Sequence, residues 1–264
     1  MKPIVLVTDF GERDYYAGVV KGVIRKISPE SPVIDLCHGV PSFYVPAASF
    51  ILEKSQAYFP SGSIFIAVVD PGVGSERRLL LVSGGERHFF IGPDNGVFTP
   101  FFEGEDYVVR EIDSTHNFLT TDVTTFEARD RMAPIAALLS KGMDPDRLAT
   151  VCEGWKVDRE YRPSRQEDGS LLGRVIYIDK FGNLVTNVSR EVLFASLSES
   201  GGRRSQVEIN GRKVTDFFKC YQEAGQEPFL LFGSHGNLEI ACRQGSAWKQ
   251  LQAGYNQPVR VLFS

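Results

Sequence analysis

Hydrophobic and polar positions follow a mixed rhythm along the first 160 residues. Ile4 to Val7 is a short apolar run closed by Thr8-Asp9-Phe10-Gly11, which predicts a strand ending in a loop. From Tyr15 to Ile27, Val19, Val20, Val23, Ile24 and Ile27 recur at helical spacing. Asp14 stands where an N-cap belongs, and Ser28-Pro29 ends the helix. Val33 to Leu36 predicts a second strand, and Ala47 to Tyr58 a second helix stopped by Phe59-Pro60. Ile64 to Val69 is apolar throughout, the mark of a strand buried on both faces. Leu79 to Val82 and His88 to Ile91 predict a hairpin around Gly84-Gly85, with a helix from Arg131 to Leu139 further on. Strands alternating with helices predict an α/β domain with a Rossmann-like layered sheet over residues 1–160.

After Gly154 the rhythm shortens. Arg159 to Gly169 is polar, contains Pro163 and reads as a linker. Gly173 to Ile178, Val185 to Val188, Val207 to Ile209, Leu238 to Ala241 and Val259 to Phe263 are short strand-like segments. Phe181-Gly182-Asn183 and Asn210-Gly211 supply turns between them, and one helical stretch falls near Asp216 to Glu223. The pattern predicts an all-β barrel domain over 170–264.

Composition narrows the function. At 42% hydrophobic and 23% charged, the 264-residue chain has the make-up of a soluble globular protein. Its 29 basic residues against 33 acidic ones exclude nucleic-acid binding by bulk positive charge. The longest apolar runs fall far short of the ~20 residues that a membrane span needs. The chain enters its first strand without a leader-like cleavage pattern, which predicts a cytoplasmic protein. Four scattered cysteines form no C-x-x-C, and four histidines no H-x-x-x-H, so reduced thiols and no metal site are expected.

Three loops put acidic residues at the ends of predicted strands: Thr8-Asp9-Phe10-Gly11, Val68 to Arg78, and Ile178 to Asn183. Strand ends of open α/β sheets line the ligand crevice. A carboxylate there can accept from ribose hydroxyls or an amino group; equally, Asp9 and Asp70 can cap their own turns. Gly72-x-Gly74 is followed by Arg77 where a dinucleotide motif needs glycine, and no G-K-[ST] or G-x-S-x-G occurs.

These loops belong to longer stretches: V-T-D-F-G-E-R-D-Y-Y-A-G-V-V-K-G-V-I (7–24), V-I-D-L-C-H-G-V-P (33–41), V-V-D-P-G-V-G-S-E-R-R (68–78), I-G-P-D-N-G-V (91–97), I-D-K-F-G-N-L-V-T-N (178–187) and G-S-H-G-N-L-E-I-A (233–241). Together they resemble the S-adenosyl-L-methionine (SAM) hydroxide adenosyltransferases, SAM hydrolases related to the bacterial fluorinase and chlorinase. The resemblance implies an α/β domain, a β-barrel domain and a homotrimer whose sites lie between neighbouring subunits. It implies attack of water at the ribose C5′ of SAM, giving adenosine and L-methionine, with no cofactor or metal.

Carried over by position, Asp70 and Arg77 match two members of the family's Asp–Arg–His triad, which orients or deprotonates the water. The family's F-H-G-R-D stands here as Phe126-Glu127-Ala128-Arg129-Asp130, so Glu127 takes the histidine position. A second carboxylate there can share Arg77, or raise a neighbouring carboxyl's pKa by repulsion. The fluorinase has a serine at the position of Ala128 and a tyrosine at that of Asp70, and an anionic Asp70 repels halide. The matches assign Asp9 to the ribose hydroxyls, and Asp179 and Asn183 to the amino and carboxylate groups of methionine. Ser234 and Glu239 lie in the barrel motif, and the main chain near Ala241 and Cys242 reads adenine, with Phe181 or Tyr255 as a stacking partner. Arg78 reads as a solvated or inter-subunit charge. Two other functions stay open: a SAM- or adenosine-binding protein with little turnover, and a SAM-dependent halogenase.

Overall fold

With no polar residue before its last position, β1 (Ile4–Thr8) must be covered on both faces, and it is buried along its whole length. The structure, a computed structural model, describes residues 1–84, 88–102, 107–112, 125–202 and 204–264. The chain divides into two compact units, Met1–Asp158 and Arg159–Ser264.

The first unit continues with α1 (Tyr16–Ile27), β2 (Val33–Cys37), α2 (Val45–Ser55), β3 (Ile64–Val68), β4 (Leu79–Gly84), β5 (His88–Pro93), β6 (Tyr107–Glu111), α3 (Ala133–Ser140) and β7 (Thr150–Val151). Its sheet runs in the order β2-β1-β3-β5-β4-β6-β7. The first four strands are parallel and the other pairings antiparallel, so the sheet is mixed, not a uniformly parallel layer. Ile4, Leu6, Ile64 and Ile66 share a core with Val20 and Ile24 of α1 and Ala133, Ala136 and Ala137 of α3. Phe65 and Phe90, outside that cluster, stack at 5.3 Å. The 4–5 hairpin pairs Ser83 with Phe89; Gly85 of its turn lies outside the described residues.

Two details of this unit bear on the site. β1 and β3 are parallel neighbours with Thr8 opposite Val68, so the loops carrying Asp9 and Asp70 leave the sheet side by side. Asp14 does not cap α1: the helix starts after Tyr15, which takes the N-cap position and makes no side-chain capping bond.

The second unit comprises β8 (Ser164–Arg165), β9 (Leu171–Ile178), β10 (Leu184–Ser189), α4 (Arg190–Glu199), β11 (Ser205–Ile209), β12 (Arg212–Val214), β13 (Phe229–Phe232), β14 (Asn237–Ala241), α5 (Ala247–Leu251) and β15 (Pro258–Phe263). An antiparallel sheet in the order β12-β11-β15-β9-β10-β14-β13 curls around one core that takes Val175, Leu184, Val207, Leu230, Ile240 and Val261. Asn210 and Gly211, both left-handed (φ 48° and 73°), make the β11–β12 turn. The barrel-like unit is not all-β. Ser189 caps α4 by accepting from the Val192 N–H, and Ser246 caps α5 by accepting from Lys249. The helix expected near Asp216 to Glu223 shrinks to one turn, Tyr221–Glu223.

Candidate active site

The loops after β1 and β3 open into a cleft of about 690 Å³, lined among others by Asp9, Phe43, Asp70, Arg77 and Glu127. Asp9 Oδ2 accepts the Phe43 N–H at 2.9 Å. Burial pushes the Asp9 carboxyl above the ordinary range; the Phe43 bond opposes this, and the charge of Asp70 adds to it.

Asp70 is buried and held through both oxygens. Oδ1 accepts the Gly72 N–H at 3.0 Å, and Oδ2 accepts Arg77 Nε at 2.6 Å. Gly74, at φ 80°, allows the loop to turn back and deliver Arg77 beside the carboxylate that it follows by seven residues. Arg77 Nη2 contacts both Asp70 and Glu127. Burial opposes the charge on Arg77, but hydrogen bonds to Asp70 and Glu127 prevail and hold its pKa above the ordinary value.

Glu127 comes from a different element. Residues Ala128–Met132 form a π turn that leads into α3, with the Ala133 N–H bonded to the Ala128 carbonyl. Pro134 follows; it offers no N–H, and its ring crowds the carbonyl four residues back. A wider turn relieves that crowding. The π turn thus begins three residues before the Arg131 start expected from sequence and α3 proper two residues after it, and Glu127 takes the N-cap position of the turn.

Arg78 is not a free charge. It donates to Asp94 from Nε and Nη2 at 3.0 and 2.7 Å, and to the Glu153 carbonyl at 3.0 Å, bracing the first unit internally.

A second cleft, of about 880 Å³, lies in the second unit and is lined by Asp179, Phe181, Asn183, Tyr221 and Cys242 among others. Asp179 Oδ1 accepts the Phe181 and Asn183 N–H groups, both at 2.9 Å, and Oδ2 accepts Asn183 Nδ2 at 2.8 Å. The turn thus fixes the carboxylate, while Phe181 stays 75% exposed at the rim. Cys242 has its thiol pushed up to about 11, chiefly by burial and also by Glu227. Ser234 is exposed in a turn and Ala241 is buried under Phe229; neither lines this cleft, nor does Tyr255. Glu239 is buried behind it and accepts the Tyr221 hydroxyl at 2.6 Å. Tyr221 was not anticipated from sequence, and burial together with Glu239 raises its pKa well above the ordinary value. Its sequence signal was masked because it lies in the stretch expected to be helical.

Among the described residues, no group of three or more His, Cys, Asp or Glu side chains is placed to hold a metal ion. No described helix is long and apolar enough to cross a membrane.

Comparison with known proteins matches residues 4–149 to the SAM hydroxide adenosyltransferase N-terminal domain and residues 173–260 to the C-terminal domain of the same name. The (R)-S-adenosyl-L-methionine hydrolase of Thermus thermophilus is 33% identical, covering 99% of this chain and 100% of its own. That of Methanocaldococcus jannaschii is 28% identical over 98% of this chain and 95% of its own. A fluorinase from an Actinoplanes species is more distant, at 24% identity over 90% of each chain. The crystal structure of an uncharacterized conserved protein from Thermotoga maritima superimposes with a TM-score of 0.85 at 29% identity, covering 98% of this chain and 99% of the other.

Proposed function

Because the chain belongs to the SAM hydroxide adenosyltransferase family, we propose that it hydrolyses SAM to adenosine and L-methionine by attack of water at the ribose C5′. The observation that carries the proposal is the buried Asp70–Arg77 pair at the mouth of the β1 and β3 loops, one cleft with Asp9. SAM is a sulfonium, and methionine departs as a neutral thioether that needs no proton. The protein must supply an oriented nucleophile, partly stripped of solvent, in line with the C5′–S bond.

In this reading Asp70 orients or deprotonates the water, and Arg77 fixes Asp70 through Nε and Nη2. Arg77 occupies Oδ2 of Asp70 twice, whereas Oδ1 takes only the Gly72 N–H, so its second lone pair is left to accept from water. Asp9 binds the ribose hydroxyls with the oxygen that Phe43 does not take. Asp179 and Asn183 hold the amino-acid arm, the backbone around Cys242 reads adenine, and Phe181 stacks on it. The first-unit cleft of one subunit faces the second-unit cleft of a neighbour in a cytoplasmic homotrimer. No cofactor or metal takes part, and turnover survives excess chelator.

The test is incubation of the purified protein with the (S)- and (R)-sulfonium epimers of SAM, since the named relatives are (R)-SAM hydrolases. Adenosine and methionine released in equal amounts support the proposal. Binding without products supports a binding protein, and 5′-halo-5′-deoxyadenosine formed with chloride or bromide supports a halogenase.

A further inference from the structure

Glu127 has a guanidinium on each side. Oε2 meets Arg77, and Oε1 accepts Arg131 Nη1 at 3.0 Å. Arg131 is itself anchored: its Nη2 donates to the Ile112 carbonyl, and the Ile112 N–H donates to the Leu79 carbonyl at the start of β4. The four side chains form a line of alternating sign, Asp70, Arg77, Glu127, Arg131, and all are mostly buried. Asp9, Asp14 and Arg129 line the same cleft, and Arg129 is paired with Asp130.

The alternation matters because one guanidinium between two buried carboxylates leaves an excess negative charge. Two such carboxylates compete for one cation, and at moderately acidic pH they share a proton. A second guanidinium on the far oxygen of Glu127 removes that competition. An ionised carboxylate can only accept hydrogen bonds, so Glu127 held in this way grips Arg77 and donates nothing. We infer that Arg131 is a positioning residue of the site: it keeps Glu127 as a fixed anionic anchor for Arg77, so that Glu127 and Arg131 together stand where the family motif has histidine and Asp70 alone serves as base. The assignment of Asp70 as base rests on the hydrolase reading; the Glu127–Arg131 coupling does not.

The test compares wild-type protein with Arg131→Met, Arg131→Lys, Glu127→Gln and the Glu127→Gln/Arg131→Met double variant. Arg131→Met is expected to lower kcat about ten- to hundred-fold while the KM for SAM stays within about three-fold. The acidic limb of its kcat–pH profile moves to higher pH and acquires a second ionisation, because Glu127 and Asp70 then contend for Arg77. The double variant loses that second ionisation, and Arg131→Lys recovers part of the rate. A wild-type profile in Arg131→Met, or an effect confined to KM, overturns the inference. Thermal unfolding of wild type, Arg131→Met, Glu127→Gln and the double variant supplies a readout independent of turnover. Coupled residues give a double variant less destabilised than the sum of the singles, and additive effects overturn the inference. If wild-type protein releases no adenosine, the hydrolase reading fails, and the coupling is decided by that unfolding cycle. If Arg131→Met does not fold, the lysine and glutamine variants carry the same comparison of rate, pH profile and stability.

Discussion

Phe43 donates its N–H to Asp9 from a left-handed backbone, φ 66°, and the residue is 64% exposed. Few residues other than glycine adopt that conformation, and it costs roughly 1 kcal/mol or more. The strained turn holds one Asp9 oxygen.

Asp9→Asn separates the stability of that arrangement from its use. Because burial raises the carboxyl pKa in the folded protein, the native state binds the proton more tightly than the unfolded chain. Stability is therefore lost as pH rises from the ordinary carboxyl range through the raised value, and the whole loss is present at neutral pH. Asparagine removes the titration and can still accept from Phe43. The variant should melt higher than wild type at pH 7, with the gap closing toward pH 3.5, while binding both adenosine and SAM more weakly. A lower melting temperature at pH 7 contradicts the assignment.

Asp70→Ala should abolish turnover and leave the Kd for SAM within a few-fold, since Asp70 acts on water. Loss of a positioned base costs about 10²- to 10⁴-fold in rate. Single-turnover kinetics beside calorimetry separate the two quantities, and a large loss of SAM affinity would place Asp70 on the substrate instead.

Asn183→Ala should weaken SAM by about ten- to hundred-fold and adenosine much less, because only SAM carries the amino-acid arm. Asn183 also orients Asp179 through Nδ2, so the loss reflects both groups. Equal weakening of the two ligands in calorimetry would remove the 179–183 turn from the amino-acid pocket.

Cys242 and Cys220 should react differently with iodoacetamide. The Cys242 thiol is pushed up to about 11, whereas Cys220 is exposed. At pH 8 a buried, high-pKa thiol carries little thiolate. Peptide mass spectrometry should find Cys220 alkylated well before Cys242, and SAM present in the mixture should not reverse that order.

The parallel half of the first sheet was legible because Ile4 to Val7 and Ile64 to Val69 are unbroken apolar runs, and a strand buried on both faces leaves that trace. The hairpin at Asn210-Gly211 was legible from turn chemistry alone. α4 was not: Val192 to Ala195 and Leu197 make no clean helical stripe, and the Ser189 cap marks its start. The hairpin signal fixed β4 as antiparallel to β5, but no strand was read at β6 or β7, which extend the antiparallel half of the sheet. At the site, the residue types at positions 9, 70 and 77 were readable from their loops. Arg77 as a partner of Glu127 was open to reading, but the second partner was not, since Arg131 lies in a stretch that reads as an ordinary helix start. Ser234 and Ala241 were named from a motif, which fixes neighbourhood in sequence; the fold puts one in an exposed turn and the other in a buried cluster with Phe229.

The π turn at Ala128–Met132 sets a phase. α3 must keep Ile135, Ala136 and Leu139 toward the core, and that demand alone fixes its rotation. Each residue of an α-helix turns the chain by about 100°. A regular helix running back from α3 would therefore swing position 127 about a quarter turn or more away from Arg77. The surplus residue in the π turn absorbs the mismatch, as a leap day reconciles two calendars. A turn that closed as a regular helix with its residue count unchanged would thus leave the core in register and the anion out of it: a folded, inactive protein with every catalytic side chain still present.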